Sequence, residues 1–291
     1  MPLDEIRVIA KDEYPINLQN MKYPPRRLFV RGNFPAPKGY KYLCVVGSRK
    51  WTGYGRDAVY KIISGLKGYP VSIVSGLAIG IDSIAHTAAL EAGLHCVAFP
   101  GSSLEWGEIY PPEHRRLAEM IVEGGGALLS RWKAGYATGK WAFPARNTLM
   151  AGLSDTTLVI EAAYRSGSLM TAKHAEEYGR DVLAVPGSIY AANSYGTHML
   201  IRHGAGLVSS SEDLLEALGF SVSRKGMDLS VRIKALDSLS ATIMDIVGRE
   251  ELDTNTLIEK TGMQVSAFNE RLTMLELEGF VKISGGYVRP A

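Results

Sequence analysis

Residues 71–93 read VSIVSGLAIGIDSIAHTAALEAG, and this stretch decides the fold. It begins with a short β-branched run, passes through a turn of Gly and Ser, and continues into an amphipathic segment of helical length that ends at Gly93. Glycine is common where a helix ends, because it adopts the left-handed conformation without strain. The stretch is therefore predicted to form one strand–turn–helix unit.

The same unit recurs along the chain from residue 41 onwards. A second predicted helix, residues 168–179, also ends at a glycine. The predicted strands are residues 42–46, 71–74, 96–99, 127–129, 157–160, 181–185 and 206–208. Nearly apolar strands that alternate with helices indicate a mainly parallel sheet covered on both faces. The sequence thus predicts an α/β, Rossmann-like doubly wound fold.

The flanking regions differ from this core. Residues 1–40 carry closely spaced prolines, which prevent long helices, and are predicted to be an extended lead-in packed on the domain of residues 41–220. Residues 221–235 lack an apolar period and are predicted to be a linker. In residues 236–291, three helix-length segments precede two short runs around Gly285–Gly286, which predicts a small winged-helix-like domain.

Composition restricts the class of protein. Of the 291 residues, 46% are hydrophobic and 21% are charged, which is typical of a globular chain. Cys44 and Cys96 each lie inside an apolar run, so buried reduced thiols are expected and a disulfide is not. Residues 1–15 lack the pattern of a signal peptide, and no apolar run of about 18 residues occurs. A cytoplasmic protein is therefore expected.

Charge is unevenly distributed along the chain. The net charge of +2 is too small to indicate a nucleic-acid partner by itself. Residues 235–291 contain five Lys and Arg against nine Asp and Glu, which leaves residues 1–234 with a net charge of +6. A site for a polyanion is therefore expected in the larger part of the chain.

Small polar residues follow the predicted strands. Ligands of an open parallel sheet bind beyond the carboxyl ends of its strands. Glycine lets backbone amides approach a ligand, and the helix N-terminus that follows attracts phosphate oxygens. For any single loop a tight turn is an equally good interpretation, but five such loops on one rim favour an anion site. These loops are residues 47–49, 75–80, 100–103, 166–168 and 186–188.

Signatures of nucleotide cofactors and metals are absent from the sequence. Residues 47–55 have the glycine spacing G-x5-G-x-G, which differs from the dinucleotide fingerprint G-x-G-x-x-G, and no P-loop motif occurs. The six histidines and two cysteines lack ligand spacings such as H-x3-H or C-x2-C. No cofactor and no metal are expected.

The stretch TGKWAFPARN, residues 138–147, interleaves cations with aromatic rings. Proteins that bind single strands use this composition, because bases stack on the rings while Lys and Arg follow the backbone. Core packing is the alternative for either ring, and it is favoured for Trp141 over Phe143. Arg49, two residues after the first glycine, is placed to fork onto a phosphate, with an ordinary surface arginine as the alternative.

Three segments together closely resemble the DNA-processing protein A (DprA/Smf) family. They carry the motifs SGLAIGID, FPARN and SGSLMTA, and comprise residues 75–93, 143–189 and 196–205. The resemblance spans residues 14–215, and the C-terminal segment resembles the family's winged helix. It implies a protein that is not an enzyme, binds single-stranded DNA, forms a homodimer, and helps to load the RecA recombinase during natural transformation.

The resemblance also implies which residues meet the DNA. Those expected to line or shape the pocket are Gly47, Ser48, Arg49, Ser75, Gly76, Gly80, Lys140, Phe143, Arg146, Asn147, Ser166, Gly167 and Ser168. Three positions depart from the family pattern: Arg131 stands where an acid is usual, Thr148 where a second arginine is usual, and His198 where asparagine is usual. The first two changes are expected to relocate a phosphate contact.

A nucleoside-monophosphate phosphoribohydrolase-like enzyme is the main alternative. Asp82, His86 and Glu161 are its candidate nucleophile and acid–base groups. Simpler interpretations exist, because Asp82 suits a helix N-terminus and Glu161 is positioned to pair with Arg146 or Arg49. The PGGxGTxxE pattern that marks such hydrolases is absent from the sequence, which favours the binding protein.

A second alternative assigns DNA binding to the winged helix. A recognition helix normally brings Lys and Arg to phosphates. The candidate helix, residues 266–279, offers Arg271 among three glutamates. The C-terminal domain is therefore expected to contact protein or to serve packing.

Overall fold

The computed structural model describes residues 5–136, 139, 141–222, 237–248, 252–277 and 279–290. The chain divides into two compact units, Met1–Val222 and Ser223–Ala291. Most of the predicted linker, from residue 223 onwards, lies outside the described residues.

The larger unit is built on a nine-stranded sheet with the order β1-β2-β6-β5-β4-β3-β7-β8-β9. Strands β3 to β9 pair in parallel, whereas β1 pairs with β2, and β2 with β6, in antiparallel fashion. The strands are β1 (Ile6–Ala10), β2 (Arg27–Gly32), β3 (Lys41–Val46), β4 (Val71–Ser75), β5 (His95–Ala98), β6 (Ala127–Ser130), β7 (Thr156–Val159), β8 (Asp181–Ala184) and β9 (Gly206–Leu207). The predicted α/β fold is confirmed.

Helices cover both faces of this sheet. They are α1 (Ile16–Gln19), α2 (Gly53–Ser64), α3 (Ile81–Glu91), α4 (Arg115–Glu123), α5 (Ala142–Leu153), α6 (Gly167–Glu177), α7 (Tyr195–Arg202) and α8 (Ser211–Ala217). Successive strand residues point to opposite faces, so Leu43 and Val45 pack with α2, α3, α4 and α8, whereas Cys44 and Val46 pack with α1, α5 and α6. The two buried layers hold the ends of the strands at a fixed rim.

The predicted lead-in contributes strands β1 and β2 to the sheet. Both strands are short, and all prolines of the lead-in except Pro2 fall between them or after them. Phe29 of β2 lies opposite Ser130 of β6, so the lead-in forms one edge of the sheet. The extended backbone was predicted, but its sheet pairing was not, because a proline-rich segment with two short apolar runs does not reveal its partner.

The smaller unit contains three helices and a three-stranded sheet. Its elements are α9 (Ser238–Val247), β10 (Leu252–Asp253), α10 (Thr254–Thr261), α11 (Val265–Leu277), β11 (Val281–Ser284) and β12 (Tyr287–Pro290). Strands β11 and β12 form the predicted hairpin, and β10 pairs with β12. Phe268 and Leu272 of α11 pack into an apolar core with Ile243 and Val288. The winged-helix fold is confirmed.

Two findings concern the class of protein. Among the described residues, no helix has the length and apolar character needed to cross a membrane. Cys44 and Cys96 are both free and buried, as their apolar surroundings predict.

A buried histidine lies in helix α3. The ring of His86 has no exposed surface and makes no hydrogen bond of normal geometry with the described residues. Burial lowers the pKa of this imidazole from 6.5 to about 3, and the nearby backbone of Ser75 offsets only part of that effect. The imidazole of His86 is therefore protonated near pH 6.5 in the unfolded chain but only near pH 3 in the folded chain.

This buried ring makes stability depend on pH. Its contribution is fully present above pH 6.5 and is lost as the pH falls towards 3. Between pH 7.5 and pH 5, we expect the free energy of unfolding of the wild type to fall by about 2 kcal/mol more than that of His86→Leu. Urea unfolding at both pH values measures it. His203→Leu, at an exposed histidine, is the control, and equal pH dependence in wild type and His86→Leu would contradict the assignment.

Candidate functional site

A cavity opens where the strand order reverses. From β3 the chain proceeds through β4, β5 and β6 on one side, and then returns to β7 on the other side. The loops that leave β3 and β7 diverge at this point, which is where open α/β sheets bind ligands. The cavity has a volume of about 520 Å³. Its lining comprises Val46, Gly47, Ser48, Arg49, Lys50, Ala78, Asp82, Phe143, Pro144, Arg146, Asn147, Ala163, Ser166, Gly167, Ser168, Met170, Thr171 and Asn193.

The loop after β3 is held from the side of β7. The amide of Asn193 donates to the Lys50 carbonyl at 2.7 Å and lies 3.4 Å from the Glu161 carboxylate. Glu161 also accepts hydrogen bonds from the hydroxyl and the backbone N–H of Thr52, which caps α2. The Glu161 carboxylate is buried and therefore fixes the loop Gly47–Lys50. Its partners are Thr52 and Asn193, and not the arginines expected from the sequence.

The glycines of residues 76–80 allow two loops to touch. Gly80 has φ of +100°, and a Cβ at this position would overlap the carbonyl oxygen of Ser48. A Cβ on Gly76 would overlap the guanidinium of Arg146. These two positions require glycine because backbone and guanidinium occupy the space of a side chain. Gly76 and Gly80 therefore allow the close contacts that position Arg146 and the loop at Ser48, although neither glycine lines the cavity itself.

Two helix N-termini face the cavity. Phe143, Pro144 and Asn147 belong to the first turns of α5, and Ser166 caps α6 by accepting from the Ser168 N–H at 3.4 Å. Asn147 also donates to the Gly167 carbonyl at 3.4 Å, which ties the two helix starts together. The dipoles of the two helices give this rim a partial positive charge suited to an anion.

Arg146 is a buried cation with most of its donors engaged. Its Nη1 donates to the carbonyls of Gly76 and Phe99, the latter at 3.0 Å, and its Nε donates to Asn147 Oδ1 at 3.1 Å. Only 4% of the residue is exposed. Burial lowers the pKa of this guanidinium, an effect opposed by Asp82 and reinforced by Arg49. Arg146 therefore organises the loops more than it reaches outward.

Arg49 and Lys50 present the accessible cations. Both residues are exposed and line the cavity. The guanidinium of Arg49 lies 5.2 Å from the centroid of the half-buried Phe143 ring, which also stacks obliquely on Tyr110 at 5.6 Å. This contact holds the Arg49 guanidinium beside the Phe143 ring, and no ion pair with another described residue engages its charge.

A buried carboxyl group lies below these cations. Asp82 lines the cavity and is 6% exposed. Burial raises the pKa of this carboxyl, and Arg146, the backbone of Ala78 and Arg49 oppose that change. The site therefore combines an accessible cationic surface with an acid that is shielded from solvent. Within the described residues, no group of His, Cys, Asp and Glu is arranged to hold a metal ion.

Most of the predicted site residues meet at this cavity. Gly47, Ser48, Arg49, Phe143, Arg146, Asn147 and Ser166 to Ser168 line it. Ser75 does not line it, because its hydroxyl is buried and donates to the Val45 carbonyl at 2.7 Å. Lys140 lies outside the described residues.

Other positions depart from expectation. Trp141, for which core packing was the alternative, is 51% exposed and contacts Trp132 and Tyr136. Arg131 is exposed, and neither Arg131 nor Thr148 is part of the cavity lining, so the relocated phosphate contact stays a prediction. The loops 100–103 and 186–188 also lie outside the lining.

Sequence reasoning missed several lining residues. Lys50, Met170, Thr171 and Asn193 line the cavity without having been singled out. Lys50 and Thr171 follow directly from loops that were recognised, so extending each loop by a few residues finds them. Asn193 carries no local signal, because its role depends on the Lys50 carbonyl far away in the sequence.

Family models match both units of the chain. The model described as DNA recombination-mediator protein A matches residues 5–219, and the DprA winged helix domain matches residues 231–286. Protein Smf of Escherichia coli (strain K12) is 37% identical over 289 residues, which cover 95% of this chain and 75% of that protein. DNA processing protein DprA of Streptococcus pneumoniae is 43% identical over 212 residues, which cover 73% of each chain.

Solved structures agree with this assignment. The X-ray structure of DNA processing protein A from Streptococcus pneumoniae aligns with a TM-score of 0.69 at 40% identity, and covers 75% of this chain and 76% of that chain. The protein from Helicobacter pylori, whose structure describes a single-stranded DNA binding mode, aligns with a TM-score of 0.66 at 25% identity over 74% of this chain and 96% of that one. The chain therefore belongs to the DNA recombination-mediator protein A family.

Proposed function

We propose that this chain binds single-stranded DNA in the cavity between β3 and β7 without catalysing a reaction. The observation that carries the proposal is the convergence of Arg49, Lys50 and two helix N-termini on one rim beside the Phe143 ring. Cations and amides suit the phosphates, and the ring suits a base. The relative from Helicobacter pylori, described as binding single-stranded DNA, supports this assignment.

The rival hydrolase loses two of its three candidate groups. The His86 ring is fully buried, and the Glu161 carboxylate is engaged by Thr52 and Asn193. Asp82 lines the cavity, but burial favours its protonated form. A nucleophile and a general base have to lie within hydrogen-bond reach of each other and of the substrate. The positions of these three groups therefore favour binding over hydrolysis.

The biological role follows as the second part of the proposal. Membership of a recombination-mediator family supports a role in recombination, and the proposed form of that role is a homodimer that loads a RecA-type recombinase onto the bound strand during natural transformation. The two free, buried thiols accord with a cytoplasmic setting. In the winged-helix unit, Arg271 of α11 lies 3.7 Å from Asp237, so the one basic residue of the recognition-helix candidate is placed beside an acid. This supports a protein-contact role for that unit.

The binding proposal predicts a preference for single strands. We expect a fluorescent oligo-dT to bind more tightly than a duplex of the same length. For each phosphate contact, the logarithm of the association constant is expected to fall by about 0.7 for every tenfold rise in salt concentration. Fluorescence anisotropy across a salt series measures both quantities. Weak, salt-independent binding to both nucleic acids, together with release of free base from nucleoside monophosphates, would favour the hydrolase instead.

A further inference from the structure

Two exposed tyrosines lie close in the sequence to residues that line the cavity. Tyr164 is 64% exposed and Tyr195 is 47% exposed, and their rings meet edge to face at a centroid distance of 5.4 Å. Neither ring is part of the cavity lining, but Ala163 and Ser166, which are, bracket Tyr164 and Arg165 in the sequence, and Asn193 lies two residues before Tyr195. The ring pair therefore lies close to the β7 side of the cavity.

A cation accompanies these rings. The guanidinium of Arg165 lies 5.1 Å from the centroid of the Tyr164 ring. Arg165 is exposed and has φ of +59°, a conformation uncommon for a side chain of this kind. The turn that imposes it, in which the Ser166 N–H donates to the Ala163 carbonyl at 3.1 Å, also begins helix α6. The backbone thus presents Tyr164 and Arg165 together to solvent beside the α6 N-terminus.

Single exposed tyrosines are common on protein surfaces. The combination at this rim is more specific, since two adjacent rings and a guanidinium adjoin an anion-binding cavity. Surfaces that hold single strands alternate aromatic rings for the bases with cations for the backbone. The cavity offers one such ring, Phe143, so a strand longer than the cavity needs a further platform outside it.

We propose that Tyr164 and Tyr195, with Arg165, form a second base-stacking platform for single-stranded DNA that leaves the cavity on the β7 side. This inference rests on the proposed function, because the platform extends a strand whose phosphates lie in the cavity. It assigns the exposed rings to nucleic-acid bases, and not to a second copy of the chain.

The test separates stacking from phosphate binding. A labelled oligo-dT is compared with a strand of equal length in which the bases are replaced by abasic residues. We expect the double variant Tyr164→Ala, Tyr195→Ala to bind oligo-dT about tenfold more weakly than wild type, within the range that one or two lost stacking contacts produce. Its affinity for the abasic strand is expected to match that of wild type.

Two controls isolate the rings. Tyr164→Phe, Tyr195→Phe keeps both rings and is expected to retain wild-type affinity for oligo-dT. Tyr23→Ala removes a tyrosine that is 79% exposed and also accompanied by a cation, Lys22 at 5.4 Å, but does not line the cavity. It is expected to change neither affinity.

Failure of the platform differs from failure of the proposed function. If the alanine double variant weakens binding to both strands equally, or to neither, the platform is wrong while the cavity assignment stands. A shift of the double variant to half the mass of wild type in analytical ultracentrifugation, with equal weakening on both strands, would assign the rings to a subunit interface. If wild type itself binds no single strand with salt dependence, the proposed function fails first.

Discussion

Arg49→Glu is expected to weaken binding of oligo-dT by about a hundredfold, or roughly 3 kcal/mol, because it removes a charge-assisted contact and adds repulsion. Arg49 is an exposed cation of the cavity, directed by its contact with the Phe143 ring. The slope of log affinity against log salt concentration is expected to become less steep by about 0.7, which corresponds to the loss of one phosphate contact on a single strand. Anisotropy titrations at three salt concentrations give both values.

Arg56→Glu is the matched control for this charge reversal. Arg56 is an exposed arginine of α2 that lies near an aromatic ring, Trp51 at 6.0 Å, and pairs with Asp57 at 3.0 Å, but it does not line the cavity. The Arg56→Glu substitution makes the same change in net charge as Arg49→Glu. A long-range effect of charge alone would therefore weaken the binding of oligo-dT equally in both variants. Equal affinity of folded Arg49→Glu and wild type would remove Arg49 from the site.

Arg146→Met is expected to destabilise the larger unit by about 3–5 kcal/mol, because it removes the charged donor of a buried hydrogen-bond network. The substitution leaves the carbonyls of Gly76 and Phe99 without this donor and removes the cation that opposes the burial of Asp82. All four tryptophans lie within residues 51–141, so their fluorescence during urea unfolding reports on this unit alone.

Two comparisons decide how this loss arises. Arg116→Met removes an exposed arginine that pairs with Glu119 and Glu123 on the surface of α4, and it is expected to leave the urea midpoint nearly unchanged. The double variant Arg146→Met, Asp82→Asn is expected to lose less unfolding free energy than the sum of the losses of the two single variants. The reason is that the double variant no longer has a buried carboxyl group at position 82 without its neighbouring cation. Full additivity would show that Arg146 acts through its carbonyl contacts alone.

The sequence predicts the parts of this molecule that repeat. Strands β3 to β9 were located within one or two residues, because each is a short apolar run between a turn and an amphipathic helix. The pairing of β1 and β2 was not predicted, since these strands depend on β6, far away in the chain. Local pattern identifies an element, whereas its neighbours in the sheet are set by packing.

The candidate site shows the same limit at the level of side chains. A glycine-rich loop and an FPARN motif predict which residues converge, but not which cations remain accessible. The sequence predicts that Arg49 and Arg146 both line the pocket, yet Arg49 is exposed whereas Arg146 is only 4% exposed. Glu161 was expected beside an arginine and instead caps the loop through Thr52. Burial and hydrogen-bond partners are properties of the assembled loops.

The edge formed by β1 and β2 has a consequence for synthesis of the chain. Strand β2 finds its partner β6 only about 100 residues later, since Phe29 lies opposite Ser130. At roughly 5–20 residues per second, the ribosome needs about 5–20 s to add that length. For this time Leu28 and Val30, which are fully buried in the finished fold, belong to a strand that still lacks its β6 partner. Strand β2 therefore waits for about 100 residues of further synthesis before β6 joins it to the parallel part of the sheet.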